Sequence, residues 1–453
     1  MSTPRRNYSH YVIHNALVKS CETGEFENEV HEVTKLALNA EVDAAKLDYK
    51  WYMKTGKTAI YAVFEALKQE ILRTLMDKNS GQPKTRLVIN EKGDAYVLSK
   101  AIVRASTIPA DYFRSSHYAY HLAQLFAFNI YLMEVDLKPN HIMLSETASR
   151  IFPVNIDGDC SFAPYLGLGS HNGLAISASL LNRLPNISRE QYAAYNWQNS
   201  IAHGENTIGA SGIYHYLDLK AFRDGLCHAI LKICIMPEQY LERLADVHGI
   251  PEQIRDIALD ALTNRTDQYI AAALQNSWFR KYMQTPKAHQ DMESFVDQLS
   301  AMVIISKTKL VESKNELRVE LNEAFNALHA QVIDWNETLA QSEKFINDLH
   351  GFVTENKAEL GYVGDAYLRI LSSPKEFPVL ECVMRLHAYA KSEINLASRY
   401  YFASKEFALA LHEAVIEIMD DPKKAIQLFE QLKAAKNNEI DEASLIMAGL
   451  RKP

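Results

Sequence analysis

The chain has 453 residues, 47% hydrophobic and 23% charged, the proportions of a soluble globular protein long enough for two or three domains and a well-buried core. A formal net charge of -8 argues against general nucleic-acid binding, which uses a basic face. The polar start and the lack of any apolar run near about 18 residues make a Sec leader and a transmembrane span unexpected.

In chain order, residues 1–50 carry a weak signal, a short strand pair over Cys21–Val30 turning near Gly24. The aromatic-rich Tyr49–Lys54 reads as a strand. Over Thr58–Met76, the residues Ile60, Val63, Phe64, Leu67, Ile71, Leu72 and Leu75 recur at helical intervals, and Asn79-Ser80-Gly81 ends the helix. Arg86–Ile89 and Tyr96–Ile102 are β-prone runs around a hairpin turn at Glu91-Lys92-Gly93-Asp94. A helix is predicted over Ser116–Glu134, then short paired strands over 141–145 and 151–157. Helices dominate from Ile176 to Gln284. Further on, Leu310, Leu317, Leu321, Leu328, Val332 and Leu339 form one apolar stripe, which predicts a long helix followed by shorter ones. These changes of character place domains at 1–103, 104–290 and 291–453. Five scattered cysteines without CxxC spacing (Cys21, Cys160, Cys227, Cys234, Cys382) indicate reduced thiols, with neither zinc nor a disulfide framework.

The chemistry is concentrated in residues 132–160. Phosphoryl transfer needs a carboxylate to orient and deprotonate the attacking hydroxyl, a cation on the migrating phosphate, and acidic or amide ligands for a metal. Asp136, Lys138 and Asp157 supply those charges in that order. Asp157-Gly158-Asp159 after a strand is by itself a common turn. Behind Asp136-Leu-Lys138-Pro it reads as a hard-oxygen site for Mg2+ or Mn2+, with Asp157 the main ligand and Asp159 a second. Lys54, ahead of a helix bearing Glu65 and Glu70, is the candidate nucleotide lysine, with Lys50 and Lys57 close competitors. Ser99-Lys100 would then sit at an adenine hinge. Thr55-Gly-Lys57-Thr58 is not a phosphate loop, because Trp51 stands where its first glycine belongs. His117 and His121 read as a polar stripe on a half-buried helix, and Gly167-Leu-Gly169 with Gly173 as a flexible activation-type loop.

Asp136-Leu-Lys-Pro-Asn140-His141 and Val154-Asn-Ile-Asp157-Gly158-Asp159 resemble the catalytic loop and the metal-binding Asp-Phe-Gly of protein kinases, and more closely the Ile-Asp-Phe-Gly of lipid kinases. With Pro83-Lys-Thr-Arg-Leu-Val and Tyr96-Val-Leu-Ser-Lys-Ala, the chain looks like the divergent kinase-like effectors delivered into host cells by bacterial type IV secretion. The resemblance covers roughly residues 45–175 and implies an α+β, mostly helical chain. It would be an atypical bilobal kinase-like fold with a reduced small lobe, followed by an all-helical C-terminal domain. It implies Asp136 as base and Lys138 on the transferred phosphate. Asp157 and Asp159 would hold the metal, and Lys54 with Glu65 or Glu70 the nucleotide. There are two departures. Glu134-Val135 replaces His-Arg, and His141 occupies the metal-Asn position with Asn140 one place earlier. Imidazole suits softer ions than magnesium, so either the second metal site is altered and favours manganese, or His141 is structural and Asn140 or a water fills the site.

The implied activity is transfer of the γ-phosphate of ATP to a hydroxyl of a host protein or phosphoinositide. A pseudokinase or scaffold acting through its C-terminal helices, and a kinase fold transferring AMP, are the alternatives. The resemblance also implies an inositol polyphosphate or phosphoinositide ligand. The tail Asn437–Pro453, with Glu439, Asp441 and Glu442, is similar to a type IV secretion signal, implying delivery into host cytoplasm with peripheral membrane contact. Lys423, Lys424, Lys433 and Lys436 give the helical end a basic character, read chiefly as a solvated helix face.

Overall fold

The computed structural model describes residues 11–17, 29–35, 51–55, 58–77, 80–100, 102, 115–135, 141–146, 151–156, 158, 160–168, 174–184, 217–302, 313–372, 379–399 and 406–437. The architecture is α+β and mostly helical, in two units, Met1–His329 and Ala330–Pro453.

In the first unit, strands β1 (Tyr11–Leu17), β2 (Glu29–Lys35), β3 (Trp51–Thr55), β4 (Thr85–Ile89) and β5 (Ala95–Lys100) form an antiparallel sheet in the order β1-β2-β3-β5-β4. The first pair lies further apart in sequence than the expected turn at Gly24 would place it, because β2 starts at Glu29, where that pair was to end. The β4–β5 turn forms where expected: the Asn90 side chain accepts from the Lys92 and Asp94 amides, and Gly93 takes the positive φ of 88° that a side chain would resist. The period-two alternation divides the sheet. Trp51, Met53, Val88 and Leu98 make a small apolar cluster on one face. Lys54 and its cross-strand partner Val97 belong to the other face.

Helix α1 (Ala59–Leu75) packs on β4 and β5 and is buried nearly all round. It is followed by β4, β5 and α2 (Ser116–Tyr131), whose first turn is capped by Ser115 accepting from the Tyr118 amide. The hairpin β6 (Ile142–Glu146) and β7 (Ile151–Asn155) comes next, as expected. The helical remainder comprises α3 (Ala178–Arg183), α4 (Leu219–Ile235), α5 (Glu238–Val247), α6 (Glu252–Gln275), α7 (Ser277–Met283) and α8 (Pro286–Ala301). Helices α2 and α4 cross closely at Gly225, where a Cβ would fall 2.0 Å from the Tyr120 carbonyl oxygen. Lys232 and Gln298 close the C-terminal end of α1. Lys232 donates to the Leu75 carbonyl at 2.9 Å, and Gln298 to those of Thr74 and Met76 at 2.5 Å each. Those carbonyls have no partner within the helix, so side chains from elsewhere satisfy them.

The break expected near residue 290 falls inside α8, whose Met292, Phe295 and Val296 are buried and which packs on α4 and α7. The division between the units lies instead within α9 (Lys314–Glu355), the predicted long helix. Leu317, Leu321, Leu328 and Val332 of its stripe are buried, while Leu310 lies outside the described residues. The second unit continues with α10 (Lys357–Leu360), α11 (Tyr362–Leu371), α12 (Val379–Arg399), α13 (Glu406–Glu417) and α14 (Pro422–Asn437). Phe345, Leu349, Tyr367, Leu386, Leu411 and Phe429 build its core. Lys423, Lys424 and Lys433 are paired with Glu337, Glu417 and Glu430 on the surface of this unit. Among the described residues no helix is long and apolar enough to cross a membrane.

Candidate active site

One face of α1 carries Glu65, Lys68 and Gln69, spaced i, i+3 and i+4, so the three side chains stack along a single stripe. Glu65 meets Lys54 of β3, with Oε1 and Nζ 3.4 Å apart. The Lys54 side chain is 17% exposed and that of Glu65 is 6% exposed, so the lysine is partly exposed while its carboxylate partner is walled in. One turn on, the Lys68 side chain is fully buried. Its ammonium donates to Asn155 Oδ1 at 2.8 Å and lies 3.4 Å from Glu134 Oε2. Ser161 Oγ donates to the same Glu134 oxygen at 2.6 Å. Gln69 donates to Asn155 Oδ1 at 3.3 Å. Gln82 closes the network, donating to Gln69 Oε1 and the Asn155 carbonyl and accepting from the Asn155 amide. Buried charges survive only when paired and hydrogen-bonded, and this one has both kinds of partner.

The network ends where the two motif segments begin. Asp136, Lys138, Asn140, Asp157 and Asp159 lie outside the described residues, but the residues flanking them are bonded to one another. The Val135 amide donates to Cys160 O at 3.4 Å, the Ile156 amide to His141 O at 2.9 Å, and the Phe162 amide to Leu132 O at 3.0 Å. Met133 and Phe162 have φ of 54° and 53°, the left-handed region that costs a non-glycine residue on the order of 1–3 kcal/mol. Both sit beside the motif segments, and the Phe162 ring stacks on Phe64 of α1 at 4.9 Å. Gly158 lies close against Lys68: a Cβ there would fall 2.6 Å from Lys68 Cδ and 2.9 Å from its ammonium, so the lysine would have to shift.

Three other expected site residues fall as follows. Glu70 does not reach Lys54; it faces away from that pair and is fully buried against Arg73 at 2.5 Å, the Thr85 amide at 2.6 Å and His248 at 3.4 Å. Burial alone would push its carboxyl up, but Arg73 and His248 outweigh it and hold the group well below the usual carboxylate range. Ser99 lies within β5, opposite Tyr52 and Thr85, rather than in a segment beyond the strand. His141, the one described member of the expected metal set, is half-buried and its carbonyl joins β6 to Ile156. His121, read from the sequence as part of a polar stripe, is buried on α2 and pairs with Asp77 at 2.8 Å. Among the described residues no group of three His, Cys, Asp or Glu side chains is placed to hold a metal.

Lys68, Gln82 and Asn155 were not legible as site residues. The signal available was the polar run Lys68-Gln69-Glu70 in the middle of a strongly apolar helix, which a two-faced helix would turn to water.

No family model matches this sequence, and no curated protein matches it. Among solved structures the chain is similar to a Helicobacter pylori proinflammatory kinase, CtkA, at a TM-score of 0.36 and 11% identity. The match covers 59% of this chain and 97% of that one.

Proposed function

We propose that the chain is an ATP- and metal-dependent phosphotransferase acting on a hydroxyl of a protein or phosphoinositide. The observation that carries this reading is the Lys54–Glu65 pair, set on the α1 stripe whose next turn reaches the flanks of residues 136–140 and 157–159. A strand lysine held by a helix carboxylate is the arrangement that steadies nucleotide phosphates. Asp157 and Asp159, with His141 or Asn140, would hold Mg2+ or Mn2+, and two carboxylates with an amide or imidazole suit such an ion. The metal, when bound, neutralises charge on the phosphate oxygens.

In this reading Asp136 orients the acceptor hydroxyl and takes its proton as the oxygen bonds to the γ-phosphorus. The bond from that phosphorus to the β–γ bridging oxygen breaks and ADP departs, while Lys138 compensates charge on the transferred group. Phe162, stacked on Phe64, supplies an aromatic ring against α1 beside this segment.

The test is incubation of the full chain with ATP labelled at the γ or the α position, with magnesium or manganese. Label is expected from the γ position alone, and Asp136→Ala and Asp157→Ala should each abolish it without a change in circular dichroism. Transfer of α label would instead mean AMP transfer. Undiminished γ transfer by either variant removes that residue from its role.

A further inference from the structure

Charge and packing around Lys68 suggest more than support for a helix. Its ammonium is fully buried and meets groups from both motif segments at once: Glu134, two residues before Asp136, and Asn155, two residues before Asp157. The same side chain fills the space where Gly158 lacks a Cβ. On the same stripe Glu65 holds Lys54, so one rigid helix face carries an acid toward the sheet and a base toward the loops. A helical turn cannot slide on one contact without breaking the other, since the i, i+3 spacing is set by the backbone.

We propose that Lys68 is a positioning residue that registers the loop of Asp136 against the strand end of Asp157, and both against the Lys54–Glu65 pair. This rests on the phosphotransferase reading and deepens it, by naming the residue that brings the three parts of that site to a common geometry. Lys68 acts through Glu134, Asn155 and Gly158.

The experiment compares Lys68→Met with the double variant Lys68→Met/Glu134→Gln. The single variant leaves the Glu134 carboxylate without its lysine; the double variant leaves no unpaired charge buried and keeps the fold. If Lys68 only neutralises Glu134, the double variant restores both the unfolding midpoint and the transfer rate. If it positions the loops, the midpoint returns while kcat for γ-phosphate transfer stays about 100-fold low, the size of effect a displacement of about 1 Å produces, with KM for ATP changed far less.

A second measurement does not depend on activity. Hydrogen exchange at the Val135 and Ile156 amides, bonded to Cys160 and His141 across the two segments, is expected to quicken in the double variant while the β4–β5 amides hold. A double variant with wild-type kcat overturns the proposal. Should the wild-type chain transfer no phosphate, the phosphotransferase reading fails by itself, and unchanged exchange at those two amides then removes Lys68 from its positioning role.

Discussion

Glu65 and Glu70 are equally plausible partners for Lys54 by spacing, and replacing each with glutamine separates a site residue from a structural one. Glu70 is fully buried and receives hydrogen bonds from Arg73 and from the Thr85 amide. Breaking a buried ion pair by neutralising one member costs about 3–5 kcal/mol. Here the Arg73 side chain is 14% exposed and the glutamine still accepts from Thr85, so the lower end, about 3 kcal/mol, applies. A loss of that size lowers the unfolding midpoint of a unit this large by roughly 4 °C. Glu65→Gln keeps an acceptor for a partly exposed lysine, so about 1 kcal/mol is lost, and on the proposed phosphotransferase reading transfer should fall about 100-fold because Lys54 is no longer steered. Acid titration gives an independent check. The Glu70 carboxyl is depressed in the folded state, so its contribution is present above the unfolded value near about pH 4 and disappears as pH falls below it. The wild-type chain should therefore lose stability steeply below that pH, and Glu70→Gln should flatten the curve. Equal midpoints for wild type and Glu70→Gln, or loss of stability without loss of transfer in Glu65→Gln, would refute the assignment.

Gly158→Ala drives a methyl into the buried end of Lys68 and should cost about 1–3 kcal/mol in urea unfolding together with most of the transfer activity. Lys232→Met removes donors from the Leu75 carbonyl, Asp77 and Gln298. With Asp77 a third exposed, the expected loss is about 2 kcal/mol, read as a lower urea midpoint at unchanged slope. Burial pushes His412 in the second unit down to about 4, so its folded form binds fewer protons than its unfolded form between that pH and 6.5. Stability should fall as pH drops through this window, by at most about 3 kcal/mol. His412→Gln, which can still accept from Tyr367, should lose that dependence in thermal unfolding at pH 7 and pH 4.5.

The elements that the amino-acid order predicts well are those whose causes lie close together in the chain. The Asn90–Asp94 turn depends on Asn90 and Gly93, α1 on its apolar period, and the β6–β7 pair on two short apolar runs. What was not legible depends on distant partners. Periodicity assigns a polar residue on a helix to solvent, yet Glu65, Lys68, Gln69 and Glu70 are all at most 5% exposed, because α1 is enclosed by the sheet on one side and by helices and loops on the others. Which of them serves the site and which the core is decided by Lys54, Asn155, Glu134 and Arg73 together, a set no local window contains.

Glu134 shows the same limit in its sharpest form. Against the loop it resembles, an acid in place of histidine counts as a departure, and so, read alone, does a lysine in the middle of an apolar helix. Together they are 3.4 Å apart and neutralise each other. Removing either alone takes the nearest opposite charge from a buried group, so the two residues are best read as a pair. Counting departures from a motif one position at a time therefore misses a pair of residues that match each other rather than the motif.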